Sequence, residues 1–283
     1  MSAFKSKVAL VAGTGGLESE KLLAEFPGFD VRNRVAQTPY GPVHYQTVKG
    51  NGTNFFLIDR HHFTGNPQFP HMIRPGAFLY FLLVGSGVEC FVSGSSVGLN
   101  LEVTGVGVGD LIVPDSYMDL PGMELDICPP SGVLPQGFKL ARGHCSPEGV
   151  ICPHLIKVLD PTVVHHDKGF LACTAGPLFE TDPEKDFYLK AGASFLGMHT
   201  VIREWRWATL LNVHFLPILN VTNIISIGKG DTGEENEDVA YQAYINLLEQ
   251  FFRVVKALPQ LDSQQDCRCL HRRERNIFVD LGF

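Results

Sequence analysis

The sequence predicts a single α/β domain, a mixed β-sheet flanked by helices. Three observations predict it. Short apolar runs of strand type alternate with stretches of helical periodicity. With 283 residues and 45% hydrophobic residues, the chain has ample material for one sizeable core. No internal repeat, low-complexity tract or composition shift marks a second domain ahead of the tail.

In chain order the strand-type runs are Val8–Ala12, Phe55–Ile58, Glu89–Ser93, Leu111–Val113, Phe170–Thr174 and Ile218–Val221. Each is short and apolar, with β-branched or aromatic residues, and most stop at Gly, Pro, Asp or Asn. Helical spacing is clearest at Glu184–Ala191 and at Glu237–Ala257, where YQAYINLLEQFFRVVKAL carries an apolar stripe. Leu17–Phe26 and Ala77–Val84 are further helix candidates. Strands of buried type between helices call for a parallel or mixed sheet. The stretch Leu120 to Gly149, rich in Pro, Gly and Cys, reads as a long loop inside the domain. The domain is expected over residues 1–261, and the polar, basic tail 262–283, with Cys267-Arg268-Cys269, is expected to be loosely ordered.

Charge and cysteine usage exclude several function classes. The net charge is −7, with no run of Lys or Arg before residue 268, so a general nucleic-acid surface is not expected. A local pocket for one small anion is compatible with that balance. The apolar start is broken by glycines, and Ala77–Val84 is too short to span a bilayer; a cytoplasmic protein with no membrane or export segment is expected. Seven cysteines, an odd number scattered along the chain, fit reduced thiols better than a disulfide framework. His144-Cys145 and Cys152 with His154 lack any CxxC spacing, so no metal is expected.

Three clusters offer anion chemistry. VALVAGTGGL (8–17) is a core strand ending in Gly13-Thr14-Gly15-Gly16, whose backbone N–H groups and hydroxyl make a cradle for a phosphate. It lacks the GxGxxG of a dinucleotide site, and taken alone an ordinary strand-to-helix turn is the better reading. Asp59-Arg60-His61-His62 leaves a second strand with a planar donor fork beside two imidazoles; a solvated surface arginine is equally good without context. Ser93-Gly94-Ser95-Ser96-Val97-Gly98 follows a third strand, with small residues that admit a ligand close to the backbone. Together they converge on the carboxyl edge of one sheet, where α/β proteins bind ligands.

Several segments in order resemble the trimeric purine nucleoside phosphorylases, including their methylthioadenosine and methylthioinosine branch. They are VAGTGGL (11–17), TPYGPV (38–43), DRHH (59–62), GVECFVSGSSVGL (87–99), GDLIVPDSYMD (109–119), HCSPEGVICPHL (144–155), GPLFETDPE (176–184), GASFLGMHTV (192–201), TN (222–223) and the CxC tail. The resemblance implies a nucleoside phosphorylase-like α/β domain, a homotrimer with sites near subunit interfaces, and a role in purine salvage. It implies phosphorolysis of a purine nucleoside to free base and ribose 1-phosphate, with inorganic phosphate as co-substrate and no other cofactor. Phosphate is itself the nucleophile, which accounts for the lack of a serine or cysteine nucleophile signature.

By the same resemblance Thr14, Arg60, His61, Gly94 and Ser95 match phosphate contacts, and His199 stands where the family has a serine or threonine for that anion. Phe179 matches the aromatic on the base and Met198 the residue under the ribose. Asn236, Val239 and His144 match positions around the sugar 5′ end, His144 reaching in from a neighbouring subunit. Asn223 and Glu180 match the base readers: an asparagine donates to a 6-oxo group where an aspartate would accept from a 6-amino group, so an inosine- or guanosine-like substrate is expected. The ordinary structural alternative for Phe179 and Met198 is core packing, and for Asn223 a strand-end cap. Departures fall at His199, Ile202-Arg203 with Glu204 shifted by one, Arg74-Pro75-Gly76, Leu178 and an insertion near Val103–Gly107. Two alternatives therefore stand beside the first reading: a methylthioadenosine or methylthioinosine phosphorylase, and a non-catalytic nucleoside- or anion-binding homologue.

Overall fold

A computed structural model describes residues 6–13, 27–38, 41–59, 86–120, 139–141, 151–174, 178–198, 201–211, 213–228, 237–261 and 278–280. The main sheet begins with β1 (Val8–Ala12), β2 (Phe29–Thr38), β3 (Gly41–Gly50), β4 (Thr53–Asp59) and β5 (Cys90–Asn100). It continues with β6 (Leu111–Pro114), β7 (Tyr117–Asp119), β9 (Val164–His166), β10 (Phe170–Thr174), β11 (Ala193–Met198) and β12 (His214–Ile225). A separate ladder pairs β8 (Lys139–Ala141) with β13 (Phe278–Asp280). The helices are α1 (Pro153–Lys157), α2 (Asp182–Lys190), α3 (Ile202–Leu211) and α4 (Glu237–Leu261). The helix candidates at 17–26 and 77–84 lie outside the described residues.

The strand order is β2-β3-β4-β1-β5-β11-β10-β7, with β12 lying beside both β5 and β6, and β6 beside β9. β1 pairs in parallel with β4 and β5, and β12 runs parallel to β5, whereas β11 meets β5 antiparallel. The sheet is mixed, as the sequence predicts. All five residues of β1 are buried because both faces of a central strand are covered.

The helices cover opposite faces. Side chains alternate along a strand, so Phe91 and Gly94 of β5 face opposite ways. The Phe91 side of the sheet carries its parallel partner Phe215, which packs on Trp205 of α3 at a ring separation of 5.9 Å. The Gly94 side meets Leu247 of α4. On α4, Tyr244, Leu247, Leu248, Phe251, Val254, Val255 and Leu258 are buried at helical spacing. Phe251 also packs edge-on against Phe55 of β4 at 4.8 Å. Burying that stripe holds the helix far better than its propensity would.

Several expectations are corrected. The Ser93–Gly98 segment lies inside β5, because β12 pairs along all of Cys90–Asn100. Asn223 is likewise inside a strand, not at a strand end: β12 spans His214–Ile225. In addition, Lys139–Ala141 within the long loop and Phe278–Asp280 of the tail pair as β8 and β13. The β2–β3–β4 meander also goes beyond the sequence reading; it turns tightly at Asn51-Gly52, whose φ values of 48° and 75° suit a two-residue hairpin turn.

Candidate active site

The site follows from how β5 shares its flank. β1 pairs with Cys90–Ser93, and β11, from the opposite direction, pairs with Gly98 and Leu99. Gly94–Val97 lie between the two ladders. β1 ends at Ala12 and passes into Gly13, and β11 ends at Met198, so two strand ends point at the middle of β5 from opposite sides. β4, whose Asp59 pairs with Ala12, ends at the same level and delivers the chain to Arg60.

One face of this stretch lies between two helices. A Cβ on Gly94 would stand 2.2 Å from Leu247 Cδ2, so glycine is what lets α4 come this close. Four residues on and on the same face, a Cβ on Gly98 would meet Ile225 Cγ1 at 3.0 Å and Asn223 Nδ2 at 3.3 Å. Ile225 belongs to a small second core with Ala172, Tyr188 and Leu196, over which α2 packs. This face of β5, the candidate cleft, is therefore bounded by α4 at Gly94 and by the core under α2 at Gly98, with Ser96 between them and β11 ending alongside. Ser96 is half-buried and, by alternation, projects onto this face, whereas Ser95 projects the other way and brings backbone to it.

Asn223 is fixed from below. β12 shifts register between Val221 and Asn223, and the Asn223 amide settles over Gly98. The buried Thr222 hydroxyl donates to Asn223 Oδ1 at 3.2 Å and also lies 3.5 Å from the carbonyl of Val97. Oδ1 thus accepts one hydrogen bond inside the protein, and Nδ2 is a donor. Phe179 and Glu180 approach from the segment entering α2, Phe179 58% exposed and Glu180 half-buried. α2 starts firmly there: Glu184 reaches back to accept from the Thr181 N–H and hydroxyl, both at 2.8 Å. These two hydrogen bonds hold its carboxyl below the usual range. Met198 is half-buried at the end of β11 beside Thr174, and Val239 is half-buried near the start of α4.

Thr14, Arg60, His61, His144, His199 and Asn236 lie outside the described residues. Gly94, Ser95, Met198, Phe179, Glu180, Asn223 and Val239 are described, on β5, β11, β12 and the entries to α2 and α4. Among the described residues no group of three or more His, Cys, Asp or Glu could hold a metal ion, and no helix is long and apolar enough to cross a membrane. A cavity of about 410 Å³ lined by Phe29, Asn51, Phe252 and Lys256 sits apart from all these residues, between the β2–β4 meander and the far half of α4.

Residues 7–258 match the phosphorylase superfamily. The chain belongs to it. Among relatives of this phosphorylase, a probable 6-oxopurine nucleoside phosphorylase of Thermococcus kodakarensis is 28% identical, over 93% of this chain and 96% of that protein. An S-methyl-5′-thioadenosine phosphorylase of Thermofilum pendens is 26% identical, over 94% and 96%. The solved methylthioadenosine phosphorylase of Schistosoma mansoni in its apo form shares the fold, with a TM-score of 0.72 at 18% identity, over 96% of each chain.

At the candidate cleft, Ser96 and Gly98 of the small-residue cluster read from the sequence gain individual places, and Thr222 is new. Thr222 orients Asn223, Gly98 makes room for it, and Ser96 adds a hydroxyl to the floor. Gly98 had a legible signal, a glycine inside a strand, which often marks close approach of a neighbour. Thr222 had none, since its bond depends on the β12 irregularity. Glu204, one position from where the resemblance places a glutamate, is buried in the first turn of α3.

Proposed function

We propose that this phosphorylase cleaves a 6-oxopurine nucleoside, inosine- or guanosine-like, with inorganic phosphate, giving free base and ribose 1-phosphate. The observation that supports the reading is the Asn223 amide, whose carbonyl accepts from Thr222 and whose N–H donors lie over Gly98. A 6-oxopurine presents an acceptor at O6 and N7 and a donor at N1–H. Asn223 meets the first and the Glu180 carboxylate the second. A 6-aminopurine would oppose donor to donor, leaving buried groups unpaired at roughly 1–3 kcal/mol each.

Chemically, the C1′–N9 bond breaks as a phosphate oxygen forms its bond to C1′. The departing electron pair spreads over the purine to N7 and O6, where Asn223 stabilises it, and the base takes a proton from solvent. The protein positions two reactants and stabilises developing charge; it supplies no nucleophile. Phosphate is assigned to Thr14, Arg60, His61, His199 and the Gly94-Ser95 backbone, the sugar to Met198, Asn236, Val239 and His144, and the base face to Phe179.

The same reading makes the protein a cytoplasmic homotrimer of purine salvage. Leu178, Phe179, Phe187 and Ile227, on α2, the segment entering it and the segment leaving β12, are exposed large apolar residues, and a neighbouring subunit is the partner that would cover them. The second reading, a methylthioadenosine-type phosphorylase, is favoured by relatives that bear that name. Phosphorolysis of inosine, guanosine and methylthioadenosine side by side decides between them. Turnover of methylthioadenosine alone defeats the Asn223 argument. Base binding without turnover identifies a non-catalytic homologue.

A further inference from the structure

The two base readers reach the cleft from separate elements, Glu180 from the segment entering α2 and Asn223 from β12. A pair of bonds ties those elements together. Asp182 Oδ2 accepts the backbone N–H of Gly228 at 3.0 Å. Lys185 Nζ donates to the carbonyl of Ser226 at 3.4 Å. Asp182 and Lys185 stand three apart, on one face of α2. Asp182 is two residues after Glu180 and Ser226 is three after Asn223, roughly 7 and 11 Å of chain, and the other ends of the two ties, Lys185 and Gly228, are each five residues from those positions.

Other contacts make α2 a strut. Its far half is anchored to β10, where the Tyr188 hydroxyl donates to the carbonyl of Cys173 at 3.4 Å. Lys185 is only 2% exposed, an unusual depth for an ammonium group, which is retained there by its hydrogen bonds. Asp182, by contrast, is exposed, so its bond to Gly228 is separable from the core.

We infer that Asp182 and Lys185 are positioning residues: by stapling α2 to the segment leaving β12 they set the separation between the Glu180 carboxylate and the Asn223 amide, and with it the preference for 6-oxo over 6-amino purines. The inference rests on Glu180 and Asn223 being the base-binding pair. Recognition at two adjacent edges of one ring requires both groups at a fixed spacing, so loosening the staple weakens the matched base most. The mismatched base, whose penalty comes from the same fixed groups, loses less or gains.

The test is calorimetry of hypoxanthine and adenine on the full chain, with phosphate KM and thermal midpoint measured alongside, for wild type, Asp182→Ala, Asp182→Asn and Lys185→Met. Asp182→Ala and Lys185→Met are expected to lower the hypoxanthine-to-adenine preference about tenfold, the size of one hydrogen bond, with phosphate KM within about twofold. Asp182→Asn, which can still accept from Gly228, is expected to retain the preference. If Lys185→Met fails to fold, the exposed Asp182 pair carries the test. Equal loss for both bases in step with the thermal midpoint marks a merely structural role and overturns the inference. A wild type that binds hypoxanthine, with variants that keep its preference, overturns the staple alone. A wild type that binds neither base removes the parent reading, and this one with it.

Discussion

The Thr222 hydroxyl donates to the side-chain carbonyl of Asn223 across 3.2 Å, so the amide proposed to read the base is held by its own chain neighbour. Thr222→Val removes that donor and lets the amide turn. The expected outcome is a five- to tenfold fall in kcat/KM for inosine relative to adenosine, about one hydrogen bond, with Thr222→Ser close to wild type. Asn223→Asp is expected to move the preference toward adenosine. Steady-state kinetics on both nucleosides checks both variants.

Gly98 is expected to be intolerant of any side chain. In Gly98→Ala the new methyl meets Ile225 Cγ1 at 3.0 Å and Asn223 Nδ2 at 3.3 Å, so one of them must give way. Activity is expected to fall by about tenfold or more while stability falls by no more than roughly 1–2 kcal/mol, because a mild overpacking strain lands on a binding group. Kinetics and urea denaturation of the same preparation separate the two effects.

Gly94 is expected to behave differently. A methyl there would stand 2.2 Å from Leu247 Cδ2, so Gly94→Ala pushes α4 off the sheet, at about 1–3 kcal/mol of overpacking. The double variant Gly94→Ala with Leu247→Ala is expected to be less destabilised than the sum of the single variants, because each removes part of the other's clash. A denaturation double-mutant cycle gives the coupling.

Acid stability carries a further signature. Glu184 is held below its ordinary range by the backbone and hydroxyl of Thr181, and Asp160 by the same two groups of Thr162. A depressed folded pKa means a contribution that is present above the unfolded carboxyl value and is lost as pH falls through the folded one. The thermal midpoint should therefore drop on acidification through and below the ordinary carboxylate range. Glu184→Gln should flatten that limb by lowering the midpoint slightly near pH 7 while leaving it little changed in acid, where the wild-type carboxyl is already protonated.

The apolar rim is expected to be an oligomer contact. Phe187 and Ile227, 55% and 50% exposed in the single chain, are expected to become covered between subunits. Phe187→Glu is expected to lower the assembly state in sedimentation velocity, with kcat/KM falling alongside it. An unchanged sedimentation coefficient would remove this surface from the interface.

Much of the central architecture was legible in the sequence, for a physical reason. Val8–Ala12 is buried throughout and Phe170–Thr174 nearly so, so their composition is almost wholly apolar, and the strands have those same limits in the structure. The stripe in α4 was equally plain because one face of a long helix must be buried. β2 was not legible: its side chains are largely exposed at the sheet edge, leaving a polar run that reads as loop. β5 and β12 were read too short, because Ser93–Gly98 and Thr222-Asn223 look like punctuation. What keeps them extended is pairing with each other, two segments more than a hundred residues apart.

The sequence by itself determined the fold class, the buried strands, the long helix and, through a series of motifs in order, the family. Local composition carries that information because burial selects it residue by residue. Only the tertiary structure decided how β1 and β11 share one flank of β5, how α4 and α2 frame the cleft, and which way the Asn223 amide points. Those depend on register, on the bulge in β12, on the absence of a side chain at Gly94 and Gly98, and on ties such as Asp182 to Gly228. Each is a relation between distant segments, and no single stretch of sequence contains it.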